Sequence, residues 1–251
     1  MTAGGYPLGS TTESASQGSK EEKMRFRALD LCCCAGGMSA GIAAAGFEVF
    51  GSDIEWQPHY PYWFKRRDFR TYTYAELDEF DYIHISPPCQ QYSRASVLAR
   101  KHGRVYPDLY HEAKALCISS GKPYTIENVP GSPAKGIRLF GWQFGLNIIR
   151  ERIFESNIPL TDLGREKAPG KVKGGDFVTV AGSGKGNHQW EAAMGIDWAD
   201  PEEIKEAVPP LMARFVADQI MTWLVNEQRL QTLATGAPMS TRCLDKKLLL
   251  I

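Results

Sequence analysis

The stretch Phe26-Arg27-Ala28-Leu29-Asp30-Leu31-Cys32-Cys33-Cys34-Ala35-Gly36-Gly37-Met38-Ser39 decides the fold. Phe26 to Leu31 is a short apolar run that reads as a buried strand. The glycines after it break that pattern, and the alanine-rich segment Met38 to Ala45 reads as a helix. Glu48 to Ser52 is a second strand, so the chain begins as a β-α-β unit. Further strands are expected at 81–86 and 123–127, with a helix near 108–120 between them. Such alternation gives an α/β fold with a doubly wound, mostly parallel sheet. The rhythm changes near Gly141, and the region 156–189 is rich in Gly, Pro and Lys with one strand-like run, Phe177 to Ala181. Pro201 to Ala207 and Leu211 to Val225 read as helices, the second amphipathic. The expected organisation is a disordered extension over 1–23, a core over 24–155, a small lobe or loop over 156–189, helices over 190–227 that complete the core, and a tail over 228–251.

With 251 residues, 43% of them hydrophobic, the chain has enough apolar side chains for one full core with appendages. Its 29 basic and 29 acidic residues cancel, so a nucleic-acid partner would have to be held by a local basic patch rather than by the field of the whole protein. The 6 cysteines, at 32, 33, 34, 89, 117 and 243, follow neither a disulfide framework nor a zinc spacing. No metal is expected, and a reducing compartment fits these thiols best. No apolar run suggests a membrane span, and the N-terminus lacks a charged-then-apolar export pattern. The chain is expected to be a cytoplasmic monomer.

Chemistry concentrates in two turns. In Ser86-Pro87-Pro88-Cys89-Gln90-Gln91-Tyr92-Ser93 a thiol follows two prolines, directly after the apolar run Asp81 to Ile85. The prolines end the strand, so Cys89 would sit at its carboxyl edge, where ligands bind in open α/β sheets. A lone cysteine is equally a small buried hydrophobe, so other residues must decide its role. The turn Asp30 to Ser39 lies between a strand and a helix, a setting in which backbone N–H groups face nucleotide-like ligands. Asp53, at the end of the second strand, is placed to accept from ribose hydroxyls. Asp68 could accept from an adenine amino group, and both acids could equally be solvated turn residues.

Taken in order, the Asp30 to Ser39 turn, Asp53-Ile54-Glu55, Asp68, Pro87-Pro88-Cys89-Gln90, Glu127-Asn128-Val129 and Arg150-Glu151-Arg152-Ile153-Phe154 resemble the motifs of the cytosine-5 DNA methyltransferases. Trp190 to Ile220 is similar to the closing segment of short phage and actinobacterial members. The resemblance implies a Rossmann-like sheet that binds S-adenosylmethionine, with double-stranded DNA as partner, in a bacterial or phage-infected cell. It places Leu31, Cys32, Ala35, Gly36, Gly37, Asp53, Ile54, Asp68, Phe69 and Pro88 around the cofactor. Asp53 would hold the ribose, Ile54 would lie against the adenine, and Asp68 would bind its amino group.

The chemistry explains the remaining residue types. Cytosine C5 is a poor nucleophile, so a thiolate, Cys89, would add to C6 and push electrons to C5. Glu127 would meet the charge that builds at N3, while Arg152 and Arg150 brace the cytosine O2 and orient Glu127. No residue is identified as the base that removes the C5 proton. A base inside a duplex must flip out to be reached, at a cost of a few kcal/mol. Gln90, Ser93, Arg94, Arg100, Lys101 and Arg104 lie on a loop that would close over it and neutralise phosphates. Lys65-Arg66-Arg67 and Lys167 to Lys173 would extend that patch.

Three departures from the family pattern stand out. Cys32 and Cys34 replace a phenylalanine and a glycine in the first motif, and Glu206-Ala207-Val208-Pro209-Pro210 stands where a Gly-Asn-Ser run supplies a cofactor contact. The region 154–190 is short for a recognition domain, which implies a short or relaxed target site. Gly182-Ser183-Gly184-Lys185-Gly186 lacks the remaining residues of a phosphate loop and reads as a turn. The alternatives are an RNA cytosine-5 methyltransferase, a DNA-binding relative without activity, and transfer of a group other than methyl. The Cys-Phe-Thr signature of the tRNA-modifying branch is absent, and the set Cys89, Glu127 and Arg152 is complete.

Overall fold

Five short runs dominated by apolar residues lie side by side as parallel strands: β1 (Arg27–Leu31), β2 (Glu48–Asp53), β3 (Trp63–Arg66), β4 (Tyr82–Ile85) and β5 (Tyr124–Asn128). Two more, β6 (Ile137–Leu139) and β7 (Arg152–Ser156), extend the sheet antiparallel, and the order is β3-β2-β1-β4-β5-β7-β6. The expected doubly wound, mostly parallel sheet is therefore found. The computed structural model describes residues 25–172, 175–181 and 188–235. The expected extension over 1–23, the Gly182 to Gly186 turn and the chain from 236 lie outside them.

Alternate residues of each strand face opposite ways, so two apolar layers form. Leu29, Leu31, Ile83, Ile85 and Ile126 pack with Leu77 of α2 (Tyr74–Leu77) and with Tyr110, Ala113 and Cys117 of α4 (Tyr110–Ser120). Ala28, Val49, Tyr82 and Phe154 face the other way, against α1 (Gly37–Ala44) and α7 (Pro210–Thr235). A smaller cluster joins Leu146, Ile148 and Val180 to α5 (His188–Met194) and α6 (Pro201–Glu206). Among the described residues no helix is long and apolar enough to cross a membrane.

Two expectations need correction. Phe177 to Ala181 forms no strand. Its apolar side chains serve burial: Phe177 and Val180 are covered, and the Val178 N–H donates to the Asn147 carbonyl at 2.8 Å without starting a ladder. The last helix does not stop at Val225 but continues to Thr235, because no Gly or Pro interrupts the sequence between Val225 and Thr235.

The α1–α7 contact depends on glycine. A Cβ on Gly41 would stand 2.4 Å from Ala213 Cβ, 2.5 Å from Arg214 N and 2.6 Å from Pro210 O. A Cβ on Gly37 would stand 2.3 Å from Val208 O. Absent side chains thus let the 207–214 segment lie against α1, which also brings that segment to the end of β1.

Polar groups are buried on the α1–α7 side of the sheet. Asp30 is fully covered, and its Oδ2 accepts from the Ser39 hydroxyl, whose oxygen lies 2.6 Å from the Tyr60 hydroxyl. Asp30 Oδ1 has no partner, and burial pushes the carboxyl up from 3.8 to about 7, with the charges of Asp53 and Glu127 adding to the rise. His84 is held neutral by burial, its pKa lowered to about 3, between Thr125 Oγ1 at 2.7 Å and Ser86 Oγ at 3.0 Å.

Two stability measurements check this packing. Gly41→Ala should lower unfolding free energy in urea by about 1–3 kcal/mol from overpacking, despite the roughly 1 kcal/mol that alanine gains in a helix; a stabilised variant would contradict the contact. For Asp30 the folded pKa is raised, so the folded chain binds the extra proton, and stability falls as pH rises from about 4 to about 7. Asp30→Asn removes that dependence. Calorimetry should show the variant gaining on wild type by up to roughly 4 kcal/mol between pH 4 and pH 8. A difference independent of pH would mean that Asp30 ionises freely.

Candidate active site

The chain leaves β1 toward β2 on one side, and β4 is laid down on the other, so the sheet reverses direction between Leu31 and Ile85, which are register partners. Connections depart oppositely there and leave a cleft at the strand ends. Every candidate residue of the reaction lies on a segment leaving this edge or on the antiparallel strand beside it.

Cys89 follows β4. The segment is anchored by Ser86 N–H donating to Leu31 O at 3.1 Å and by Asn128 Nδ2 donating to Pro87 O at 3.0 Å. The Cys89 carbonyl accepts from the N–H groups of Tyr92 and Ser93, both at 2.9 Å, which turns the chain sharply away. The thiol is half-buried. Burial raises its pKa and the Glu127 charge adds to this, while Arg152 and Arg150 oppose the rise.

Glu127 ends β5 and is 6% exposed. Arg152 opens β7, and its Nε lies 2.8 Å from Glu127 Oε1. That contact is an ion pair, which holds the Glu127 carboxylate at the cleft edge. Arg150 faces elsewhere. Its guanidinium donates from one nitrogen to the carbonyls of Lys205 at 2.5 Å and Ala207 at 2.6 Å, with its backbone at φ 37°. Arg150 thus fixes the approach to α7 with one nitrogen, while its Nε is buried without a hydrogen-bond partner and its charge acts on Glu127 and Cys89.

The first turn is held by backbone. Cys33 N–H donates to Ser52 O at 3.2 Å, and Cys34 N–H donates to Asp53 Oδ2 at 3.0 Å. Cys32 and Cys34 adopt φ 55° and 45°, a left-handed conformation that costs a side-chain-bearing residue of order 1–3 kcal/mol. The turn thus forms without a glycine at position 34, under strain. Ala35 and Gly36 line its far side, where the Ala35 carbonyl accepts from Trp198 Nε1 at 2.8 Å. Glu206, Ala207 and Val208 close a cavity of about 20 Å3 against Asp30, the three cysteines, Gly37 and Ser86. Burial raises the pKa of Glu206.

The remaining expected residues divide. Asp53 uses Oδ1 to accept from Glu55 N–H, and Ile54 beside it is 55% exposed, open to a stacked ring. Pro88 is half-buried next to the thiol. Asp68 is spent on Arg70, which sits 2.6 Å away and lowers its pKa. The side chains of Phe69 and Leu31 lie in the core, so they can offer a ligand only backbone. On the loop after Cys89, Arg100 donates to the carbonyls of Gln90 at 2.5 Å and Ser93 at 3.0 Å. It staples the loop, whereas Arg94, Lys101 and Arg104 are exposed, the last over the Tyr106 ring at 5.3 Å. The loop carries α3 (Val97–Lys101), whose Leu98 is 68% exposed.

Sequence reasoning did not single out Asp30 or Glu206 as site residues. An acid within an apolar strand was the available signal for Asp30; none marked Glu206 beyond its place in a departed motif. Outside the cleft, one ligand atom each of His59, Asp200 and Glu203 falls within 4.8 Å of the others. Asp200 and Glu203 already form the capping box of α6, which accounts for their placement.

Residues 26–133 match the model of the C-5 cytosine-specific DNA methylase family. No curated protein sequence matches the chain. Among solved structures, the chain is similar to a mutant of Spodoptera frugiperda DNMT2, 17% identical with a TM-score of 0.42 over 57% of this chain and 54% of that one. It is similar to the S. pombe Dnmt2 methyltransferase, 21% identical with a TM-score of 0.40 over 53% and 49%. The chain thus spans about half the length of these two proteins. Entamoeba histolytica methyltransferase EhMeth is 12% identical, with a TM-score of 0.51 over 82% of this chain and 99% of that one, and shows the same fold. The matched residues 26–133 carry both the first turn and the Cys89 segment, so the likeness to the C-5 cytosine-specific DNA methylase family lies in the part of the chain that builds the cleft.

Proposed function

We propose that the protein transfers a methyl group to cytosine C5 in double-stranded DNA through an adduct between Cys89 Sγ and C6. The observation that carries this reading is Glu127, buried and ion-paired with Arg152 at 2.8 Å, with its charge acting on the half-buried Cys89 thiol. S-adenosylmethionine, when bound, supplies the methyl as the electrophilic carbon of a sulfonium. The cradle suits such a molecule: Asp30 leaves one buried oxygen unpaired, and Asp53 ends β2 beside exposed Ile54.

The chain's own residues do the rest. Sγ adds as thiolate to C6 while the ring electrons move to C5, and a proton shared by Glu127 at N3 neutralises the developing charge. Arg152 holds Glu127 in place and its charge favours the thiolate. Once C5 has gained its methyl, loss of the C5 proton to solvent returns the electron pair and expels Sγ. The exposed cations Arg94, Lys101 and Arg104 would contact phosphates, and exposed Leu98 on the same loop would fill the gap that an everted base leaves. The short 157–187 region supports a short target site.

Incubation with tritiated S-adenosylmethionine and mixed-sequence duplex DNA, or RNA of the same sequence, tests the reading. Label should appear at cytosine C5 of the duplex. Cys89→Ala should reduce it at least about a thousandfold and Glu127→Gln by about 10²–10⁴. Because the thiol pKa is raised, the single-turnover rate should climb with pH through 7 to 9. Label on RNA alone, or full activity in Cys89→Ala, would overturn the proposal.

A further inference from the structure

A histidine stands in the middle of the sheet, where an apolar side chain would pack. His84 of β4 is fully buried, as are Tyr82 two residues before it and Thr125, its register partner on β5. The Tyr82 hydroxyl and His84 Nδ1, the latter at 2.7 Å, both bond Thr125 Oγ1, and His84 Nε2 lies 3.0 Å from Ser86 Oγ. Counting protons fixes the direction of each bond. Thr125 is the one hydrogen-bond partner of the Tyr82 hydroxyl among the described residues, so the phenol proton goes to Thr125 Oγ1 or stays buried without an acceptor, which is costly. The Thr125 proton then goes to His84 Nδ1, which leaves the N–H of the neutral ring on Nε2, donating to Ser86 Oγ. Every other arrangement strands a proton on Tyr82 or on Thr125. Ser86 is where this buried row meets the cleft. It is half-buried, lines the cavity at the end of β1 and begins the segment Ser86-Pro87-Pro88-Cys89. Neither proline has an N–H to give, so the segment has few means of attachment. Its anchors are the Ser86 N–H on Leu31 O, Asn128 Nδ2 on Pro87 O, and His84 on the Ser86 side chain, one each from the adjacent strands β1, β5 and β4.

Resting on the reaction given above, we propose that His84 is a positioning residue, which holds Ser86 through its Nε2–H and thereby fixes the Pro87-Pro88-Cys89 turn in the place from which sulfur reaches C6. His84 acts through Ser86 alone, and no bond is made or broken at its ring. The two ring nitrogens have separable parts: Nδ1 settles the tautomer, and Nε2 does the holding.

Two measurements on the full chain test this. One is the rate at which iodoacetamide alkylates Cys89, mapped by peptide mass spectrometry with the fully buried Cys117 as internal control. The other is methyl transfer from tritiated S-adenosylmethionine to mixed-sequence duplex DNA. His84→Asn, whose amide reaches only the Nδ1 position, and Ser86→Ala should each raise Cys89 alkylation about tenfold as the thiol is freed, with Cys117 still protected. Both should lower kcat for methyl transfer by about 10–100-fold and leave KM for S-adenosylmethionine within about threefold of wild type. His84→Gln, whose amide nitrogen takes the place of Nε2, should stay within about threefold of wild type in both measurements. The double variant should be no worse than either single one, because both substitutions remove the same contact. Wild-type rates in Ser86→Ala, or additive effects in the double variant, would overturn the proposal. So would a Gln variant as impaired as the Asn variant, or Cys117 labelled along with Cys89, either of which would assign His84 to packing. If wild type transfers no methyl to duplex DNA, the reaction beneath the proposal fails, and the alkylation rates alone decide whether His84 anchors the turn.

Discussion

The reversal of strand order between the parallel neighbours β1 and β4 is the constraint on which the rest depends. It opens a cleft at the strand ends, and parallel pairing from β3 to β5 puts the turns after Leu31, Asp53, Ile85 and Asn128 on that one edge. A cleft alone has no back wall. The glycines at 37 and 41 provide the means of closing it, because they let the segment after α6 and the start of α7 press against α1. Arg150 then fastens that segment to the approach of β7. Residues more than a hundred positions apart meet as a result of three local requirements: a strand order, two missing side chains and one buried guanidinium.

Electrostatics follow from that geometry. Asp30 and Glu127 are acids drawn into a region of low solvation, with Arg150 and Arg152 as the cations beside them. Burial holds the Cys89 thiol protonated at rest, which protects it from adventitious chemistry, while Arg152 favours the thiolate. Glu127 is buried with its charge met by Arg152, and Asp30 carries a buried oxygen without a partner. Such groups are costly unless a ligand completes them, and this is where a site with a function differs from a packed core.

The sheet was legible because each central strand is a short apolar run bounded by Gly or Pro, and the order of runs and helices left few topologies. Cys89, Glu127 and Arg152 were legible as motifs, and they do converge at one edge. Three things were not. Phe177 to Ala181 has strand composition but no ladder partner, since β-branched residues serve burial as readily as pairing. Arg150 and Arg100 look like ligand contacts in sequence yet spend donors on backbone carbonyls, a choice set by tertiary approach. The placing of Asp30 and Glu206 beside one cavity depends on segments far apart in the chain, which no local pattern encodes.

The central claim is that Cys89 adds to a cytosine presented at this edge. Duplex DNA containing 5-fluorocytosine blocks the final proton loss, so an enzyme that adds through sulfur should remain attached to it in the presence of S-adenosylmethionine. Intact-mass and peptide analysis of that mixture should find a stable one-to-one conjugate with the bond on the peptide bearing Cys89. Conjugation at another residue, or methyl transfer to ordinary cytosine with no trapped species on the fluorinated duplex, would contradict the account.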